Sequence, residues 1–295
     1  YIDEAIEMGV AAVLAESGGE WQGVRLIKGV AVIAIDNLSA KLGEIAARFY
    51  SHPSRRLSVI GITGTNGKTS CSQFIAQALA DTGFSCGTMG TLGYGIYGEL
   101  KETQLTTPDP VFTQMALAEM AQGGIDPVVM EVSSVGLHQR RVKAVKFDTA
   151  IFTNLTRDHL DYHESMEAYG NNKKKLFTSE GLSRAIVNLD DPYALSIINA
   201  IAPSVDVYTY SLKNSAATVY AESLSLTRQG FEARLVTPIG AGTVKGKLFG
   251  YFNVSNLLAV ITTLINYLPK KKVLDIAQLC ELVSGLSSVD GRMEI

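Results

Sequence analysis

The chain has 295 residues, room for about two domains of ordinary size. Hydrophobic residues make up 46% and charged residues 19%, which supports packed cores and argues against a disordered chain. Lys and Arg number 26 against 29 Asp and Glu, for a net charge of -3. That balance excludes a general polyanion-binding surface and leaves only a local basic cluster for a small phosphorylated ligand.

From Tyr1 the pattern Ile2, Ala5, Ile6 is helical and amphipathic, and its acids are unlike a signal peptide. An opening inside a helix and a close at Arg292-Met293-Glu294-Ile295 lead us to expect a portion of a longer chain. Strand-like runs at 30–35, 57–63, 127–132, 149–154 and 185–189 alternate with helical stretches at 40–49, 69–80, 112–122 and 169–177. Such alternation predicts an α/β fold with a mostly parallel sheet covered on both faces. The polar run Ser51-His52-Pro53-Ser54-Arg55-Arg56 predicts a boundary, with residues 1–54 as the end of a preceding domain. Residues 218–250 alternate apolar and polar positions between glycines, which predicts antiparallel hairpins on one sheet edge. Helices are predicted again over 254–267 and 272–283. No apolar run reaches the ~20 residues of a membrane span. Cys71, Cys86 and Cys280 are too few and too scattered for a disulfide framework or a metal knuckle, so reduced thiols and a cytoplasmic protein are expected.

The strongest local signal is GITGTNGKT at 61–69, between a strand and a helix. Gly64 and Gly67 let backbone N–H groups approach a polyphosphate, and the helix N-terminus adds positive potential. Lys68 can bridge β- and γ-phosphates and the Thr69 hydroxyl can ligate Mg²⁺. The fit to the common phosphate-loop pattern is imperfect, because Ile62 stands where its first Gly belongs. Glu131 ends an apolar strand, where an open sheet faces its ligand crevice, and can hold a metal or be an acid that is solvated or bonded to a neighbouring loop. The segment 153–163, TNLTRDHLDYH, joins two His to two Asp: a second metal site, or a helix start with Asp158 as N-cap. Lys173, Lys174 and Lys175 read by themselves as a solvated helix face.

Together the strings GITGTNGKT (61–69), TTPD (106–109), EVSS (131–134), TNLTRDHLDYH (153–163), YGNNKKKLF (169–177), LDD (189–191), FNVSN (252–256) and DGRME (290–294) resemble the Mur ligase family, the ATP-dependent amide-forming ligases of peptidoglycan synthesis, closest to its tripeptide-synthetase branch. The resemblance implies a P-loop ATPase central domain over 55–290. It implies an end of the UDP-substrate domain before it, and at 291–295 the linker to a third domain that would bring the amino acid. It implies ATP at Gly64, Thr65, Asn66, Gly67, Lys68, Thr69 and Ser70, with Asn253 and Asn256 near adenine and Arg292 approaching the nucleotide. It implies Mg²⁺ ligands at Thr69, Glu131 and His159. Lys173, four after Tyr169, would carry a carbamate and join Lys68 and His159 in catalysis. Thr106, Thr107, Ser133, Gln139 and Arg141 would hold a UDP-N-acetylmuramoyl-dipeptide. Leu105 and Val135 depart from residues common among relatives, Asn and His, which implies tuning of the site.

The activity so implied is addition of a diamino acid, diaminopimelate or lysine, to the D-Glu carboxylate through an acyl phosphate, by a monomer without nucleic-acid or membrane partners and inactive without its third domain. Another Mur-type ligase, folylpolyglutamate synthetase, or a non-catalytic nucleotide-binding module stay as alternatives. Lys68, Thr69, Glu131 and His159 standing together argue against the last.

Overall fold

The computed structural model describes residues 1–18, 22–268 and 273–289. Helix α1 (Ile2–Glu7) leads into a small sheet of β1 (Ala12–Glu16), β2 (Val24–Ile27) and β3 (Val30–Ile35), in the order β1-β3-β2. Strand β3 is parallel to β1 and antiparallel to β2. Helix α2 (Leu38–Phe49) buries Gly43, Ala46 and Ala47. Small residues let it lie close on the rest of the molecule: a Cβ on Gly43 would touch that of Ala144 at 3.5 Å.

A 3-10 turn at Pro53–Arg56 precedes β4 (Val59–Thr63), whose five residues are all buried. Then come α3 (Lys68–Asp81), β5 (Gly87–Gly90), β6 (Gly93–Ile96), β7 (Glu99–Lys101), α4 (Pro110–Gln122) and β8 (Val128–Glu131). Helix α4 starts at a proline, and the Asp109 carboxylate accepts from the Val111 and Phe112 amides, a good N-cap. Next follow α5 (Ser134–His138), β9 (Thr149–Phe152), α6 (Leu160–His163), α7 (Met166–Lys174), β10 (Arg184–Asn188), α8 (Ala194–Ile198) and β11 (Asp206–Ser211). The last part holds β12 (Val219–Thr227), β13 (Gly230–Thr237), β14 (Gly240–Gly246), α9 (Tyr251–Tyr267) and α10 (Ile276–Ser284).

Eleven strands form one sheet in the order β14-β13-β12-β11-β10-β9-β4-β8-β5-β6-β7. From β12 through β5 all neighbours are parallel, as expected. The antiparallel extension at 218–250 is present as β12–β14. A second one, β5–β7, edges the other side and was not anticipated.

Strand β4 shows how the layers are built. Ile60 and Ile62 join the core under α3, α9 and α10, with Phe74, Leu79, Leu257 and Leu264. Val59 joins the opposite core, with Leu117, Met130, Phe147 and Phe177. The period of two in a strand divides its side chains this way. Gly61 faces that second core, where a Cβ would come within 2.7 Å of the Phe147 ring. Burying each large apolar chain stabilises by about 1.5–3 kcal/mol, so this double burial fixes β4 in the sheet centre. Its C-terminal end opens between β8 on one side and β9 on the other. Strand order reverses there, which is where open α/β sheets form their ligand crevice.

Candidate active site

The loop between β4 and α3 is held from the following strand. Asn154 accepts from the Thr65 amide with its carbonyl (2.9 Å) and from the Asn66 amide with Oδ1 (2.9 Å). Thr153 Oγ1 and Asn154 Nδ2 donate to the Asn66 carbonyl at 2.6 and 3.1 Å. Gly64 passes so near Thr153 that a Cβ would overlap its hydroxyl. Gly67 has φ +87°, and a Cβ there would lie 2.5 Å from Asn256 Oδ1. No side chain caps α3 at Gly67, and the positive end of the helix dipole there favours an anion. Lys68 folds back, donating to the Gly64 and Thr65 carbonyls at 2.8 and 2.9 Å.

Glu131, 1% exposed, stands at the end of β8. Its carboxylate accepts from Thr69 Oγ1 (2.9 Å), the Thr91 amide (2.9 Å) and Thr91 Oγ1 (3.2 Å). Glu131 is therefore not solvated, and the alternative of bonding to a neighbouring loop is met at Thr91. Gly90 keeps this position open, since a Cβ there would overlap the carboxylate. A buried carboxylate held by hydroxyl and amide donors carries charge that a cation can balance. Among the described residues no three His, Cys, Asp or Glu converge. Mg²⁺ here would therefore complete its shell with phosphate oxygens and water, its usual habit.

The three consecutive lysines have different environments. Lys175 is exposed and donates to Asn172 Oδ1 at 2.6 Å. Lys174 is half-buried, with its amine 5.4 Å from the Tyr193 ring centre. Lys173 is 1% exposed. Its Nζ donates to the Gly64 carbonyl at 2.8 Å and lies 4.3 Å from the Tyr169 ring centre. Tyr169 in turn bonds Thr65 Oγ1 through its hydroxyl, at 3.1 Å. Burial, and then the nearby Lys68 ammonium, bring the Lys173 amine down to about 6 from its usual 10.5. The solvated-face reading thus fails at Lys173.

His159 is exposed, with its ring 6.0 Å from that of Tyr169. It sits at φ +50° and is itself the N-cap position of α6. Asp158, expected as that cap, instead accepts from the adjacent His159 amide at 2.8 Å and lies 3.7 Å from His159 Nε2. The helix starts one residue later and without a side-chain cap, because His159 takes the left-handed conformation that turns the chain.

The five residues expected at the acceptor form one connected face. Thr106 Oγ1 is 3.0 Å from Thr91 Oγ1. Thr107 Oγ1 donates to the Glu131 carbonyl (3.0 Å) and accepts from the Ser133 amide (2.9 Å). Ser133 Oγ caps α5 by accepting from Gly136 N. Arg141 donates to the Thr107 carbonyl (2.7 Å) and twice to Gln139 Oε1 (2.9 and 2.6 Å). Leu105 is largely exposed and Val135 half-buried.

A pocket of about 650 Å³ is lined by Lys68, Thr69, Ser70, Thr106 and Glu131, with Asn253 and Asn256 from α9; Lys173, His159, Thr107, Ser133, Gln139 and Arg141 do not line it. Asn253 Nδ2 donates to the Phe249 carbonyl at 3.0 Å. A cleft of about 720 Å³ elsewhere, beside His52, Arg55 and Gly181, contains none of the expected residues. Arg292 and the rest of 290–295 lie outside the described residues. The sequence reading missed Thr91, whose amide and hydroxyl both serve Glu131. His163 is the second histidine of the segment read as either a second metal site or a helix start. This side chain is buried between Ser134 Oγ (2.9 Å) and Asn172 Nδ2 (3.3 Å), and burial lowers its pKa.

Residues 62–264 match the family described as the Mur ligase middle domain, more than half of the chain. The chain belongs to the Mur ligase family. At 46% identity over 300 residues it is similar to the UDP-N-acetylmuramoyl-L-alanyl-D-glutamate–2,6-diaminopimelate ligase of Coxiella burnetii, covering 100% of this chain and 60% of that relative. The ligase of the same name from Pseudomonas aeruginosa is 48% identical over 265 residues, covering 90% of this chain and 54% of the relative. This Mur ligase chain thus spans little more than half the length of the curated relatives it matches. A solved structure of a ligase with that name aligns with TM-score 0.82 and 31% identity, over 99% of this chain and 58% of the other. Mycobacterium tuberculosis folylpolyglutamate synthase, solved with ADP and AMPPCP, aligns at TM-score 0.69 and 16% identity, over 84% and 63%, a likeness of fold alone. Among the described residues no helix is long and apolar enough to cross a membrane.

Proposed function

We propose that this chain is the nucleotide-binding part of an ATP-dependent ligase that joins 2,6-diaminopimelate to UDP-N-acetylmuramoyl-L-alanyl-D-glutamate. The observation that carries the reading is a pocket where the phosphate loop and the start of α3 meet the buried Glu131, with the buried Lys173 amine held on the Gly64 carbonyl of that same loop. The names of the relatives at 46% and 48% identity supply the substrates and favour diaminopimelate over lysine.

The loop amides and Lys68 hold the β- and γ-phosphates, Lys68 exchanging two carbonyls for phosphate oxygens. Thr69 and Glu131 would hold Mg²⁺, which would neutralise phosphate charge there. Arg141 and Gln139, with Thr106, Thr107 and Ser133, orient the dipeptide so that its D-Glu carboxylate lies in line with the γ-phosphorus. An oxygen of that carboxylate attacks, the bond to the β–γ bridging oxygen breaks, and ADP leaves. The amine of the incoming amino acid then attacks the acyl carbon, phosphate departs with the bonding pair, and the amine loses a proton. Mg²⁺ supplies neutralisation of the charge that gathers on the transferring group. Asn253 and Asn256 face the adenine.

Lys173 is neutral in part near pH 7, as attack on CO₂ requires, and its carbamate would convert a buried cation into a ligand facing His159 and a second Mg²⁺. Residues 1–54 are the end of the UDP-binding domain, 55–290 the ATPase domain, and 291–295 the start of the linker to the amino-acid-binding domain.

The test is ADP release by the full-length protein with ATP, Mg²⁺, the UDP-muramoyl-dipeptide, and either diaminopimelate or lysine. Release that requires the dipeptide, with tripeptide formed from diaminopimelate, is expected. Release indifferent to the dipeptide overturns the reading.

A further inference from the structure

The DHLDYH segment contains a residue that the reaction above leaves without a part: Tyr162 on α6. Its hydroxyl lies 3.1 Å from Gln139 Nε2 and 2.9 Å from His138 Nδ1. Arg141 can only donate, and it gives two N–H groups to Gln139 Oε1. That fixes the carboxamide with its oxygen toward Arg141 and its NH₂ toward Tyr162. The Tyr162 hydroxyl accepts from this NH₂ and has its single proton left for His138 Nδ1. The Tyr162 ring also packs edge-on to His138 (5.4 Å, 84°) and to the buried His163 (4.8 Å, 80°). His163 is pinned to Ser134 on α5 and Asn172 on α7. One hydroxyl therefore ties the short helix that begins at His159 to the strip of chain that carries Gln139 and Arg141.

We propose that Tyr162 is a positioning residue for the carboxylate-bearing end of the acceptor. This rests on the reading of Gln139 and Arg141 as acceptor-binding residues. A guanidinium recognises a carboxylate through a planar fork, so its plane must be set within about 10–20°. Gln139 sets that plane from one edge and the Thr107 carbonyl, 2.7 Å from Nη1, from another. Gln139 is exposed, and apart from Arg141 its side chain is held by the Tyr162 hydroxyl. Without that hydroxyl the carboxamide regains rotamer freedom, and the Arg141 fork loses its orientation with it.

The experiment is Tyr162→Phe in the full-length protein, which keeps the ring and its packing. The KM for the UDP-muramoyl-dipeptide should rise roughly 5–10-fold, the scale of one lost hydrogen bond. The KM for ATP should stay within about twofold, and the melting temperature should barely move. In a double variant with Gln139→Ala, the dipeptide KM should match that of Gln139→Ala alone, since the hydroxyl acts through Gln139. An unchanged dipeptide KM in Tyr162→Phe, or independent multiplying effects in the double variant, overturns the proposal. A second readout needs no turnover: solvent exchange of the Arg141 Nε–H by NMR on arginine-labelled protein. Faster exchange in Tyr162→Phe supports the positioning role and equal exchange overturns it. A wild type that ignores the dipeptide counts against the proposed function, and the exchange measurement still decides the positioning.

Discussion

Replacing Lys173 by Met separates a buried amine from a charged helix face through the pH dependence of stability. The amine is held near 6 in the folded chain and near 10.5 when exposed, so between these values the unfolded chain binds about one more proton. Stability then rises with pH, by about 1.4 kcal/mol per unit. The sign is that of a lysine whose folded pKa is depressed: the cost is full below about 6 and vanishes toward 10.5. Met fits the apolar stem and removes this cost, so Lys173→Met should melt higher than wild type at pH 7. The advantage should shrink by about 3 kcal/mol between pH 7 and pH 9. At roughly 2–4 °C per kcal/mol, that is a closing of about 6–12 °C. The slope depends on one proton and two bounds, not on the exact depression, and other groups cancel between the variants. The assay is thermal melting of both proteins across pH 7–9 in CO₂-free buffer. A difference that stays constant over this range refutes the buried-amine argument. Bicarbonate should raise the melting point of wild type and leave Lys173→Met unchanged, because binding to the folded form alone stabilises.

Lys68→Ala should cut acceptor-dependent ADP release by about 10³-fold with the melting temperature nearly kept, since its bonds are to loop carbonyls at the surface of the pocket. Glu131→Gln should keep an acceptor for the Thr91 amide, turn its NH₂ as donor toward the Thr69 and Thr91 hydroxyls, and stay folded, while the Mg²⁺ concentration for half-maximal ADP release rises at least about tenfold. Gly67→Ala should lose nucleotide binding and about 1–3 kcal/mol of stability, because its Cβ meets Asn256 at 2.5 Å. Gly98→Ala, at a similar φ of +91° but in open space, should bind nucleotide normally. In the full-length protein short carboxylic acids should partly restore ADP release to Lys173→Ala and do nothing for Lys174→Ala or Lys175→Ala.

Much of the central sheet was legible because its strands are buried on both sides and read as apolar runs, as at Val59–Thr63 and Thr149–Phe152. The hairpins at 218–250 showed through alternation. Strands β5 to β7 did not, because Gly87, Gly90, Gly93 and Gly95 resemble a loop. Their glycines answer to neighbours distant in sequence: Met120 crowds Gly87, and the Glu131 carboxylate fills the space at Gly90. Helices α5 and α6, of five and four residues, are too short for a period of 3.6 to register. At the site, residue types with their own chemistry stood out, such as Lys68 and Glu131. Thr91 serves mainly through position, and nothing in TMGTLGYG marks it. Which of three lysines points inward depends on the rotation of α7, and it was legible only through the family resemblance, by the spacing from Tyr169.

The pocket's two walls are made at different times. Cys71 in α3 meets the Asn256 carbonyl of α9 across 185 residues of chain. During synthesis at about 5–20 residues per second, the second wall leaves the ribosome roughly 10–40 s after the first. Contacts so remote in sequence also close late in folding, because loop entropy is lost before they are made. Glu131 and Lys173, 60 and 102 residues after Cys71, also leave the ribosome before α9 does. With Asn253 and Asn256 at the adenine, as proposed, the base would act as a late lock on the assembled fold and not as a template for it.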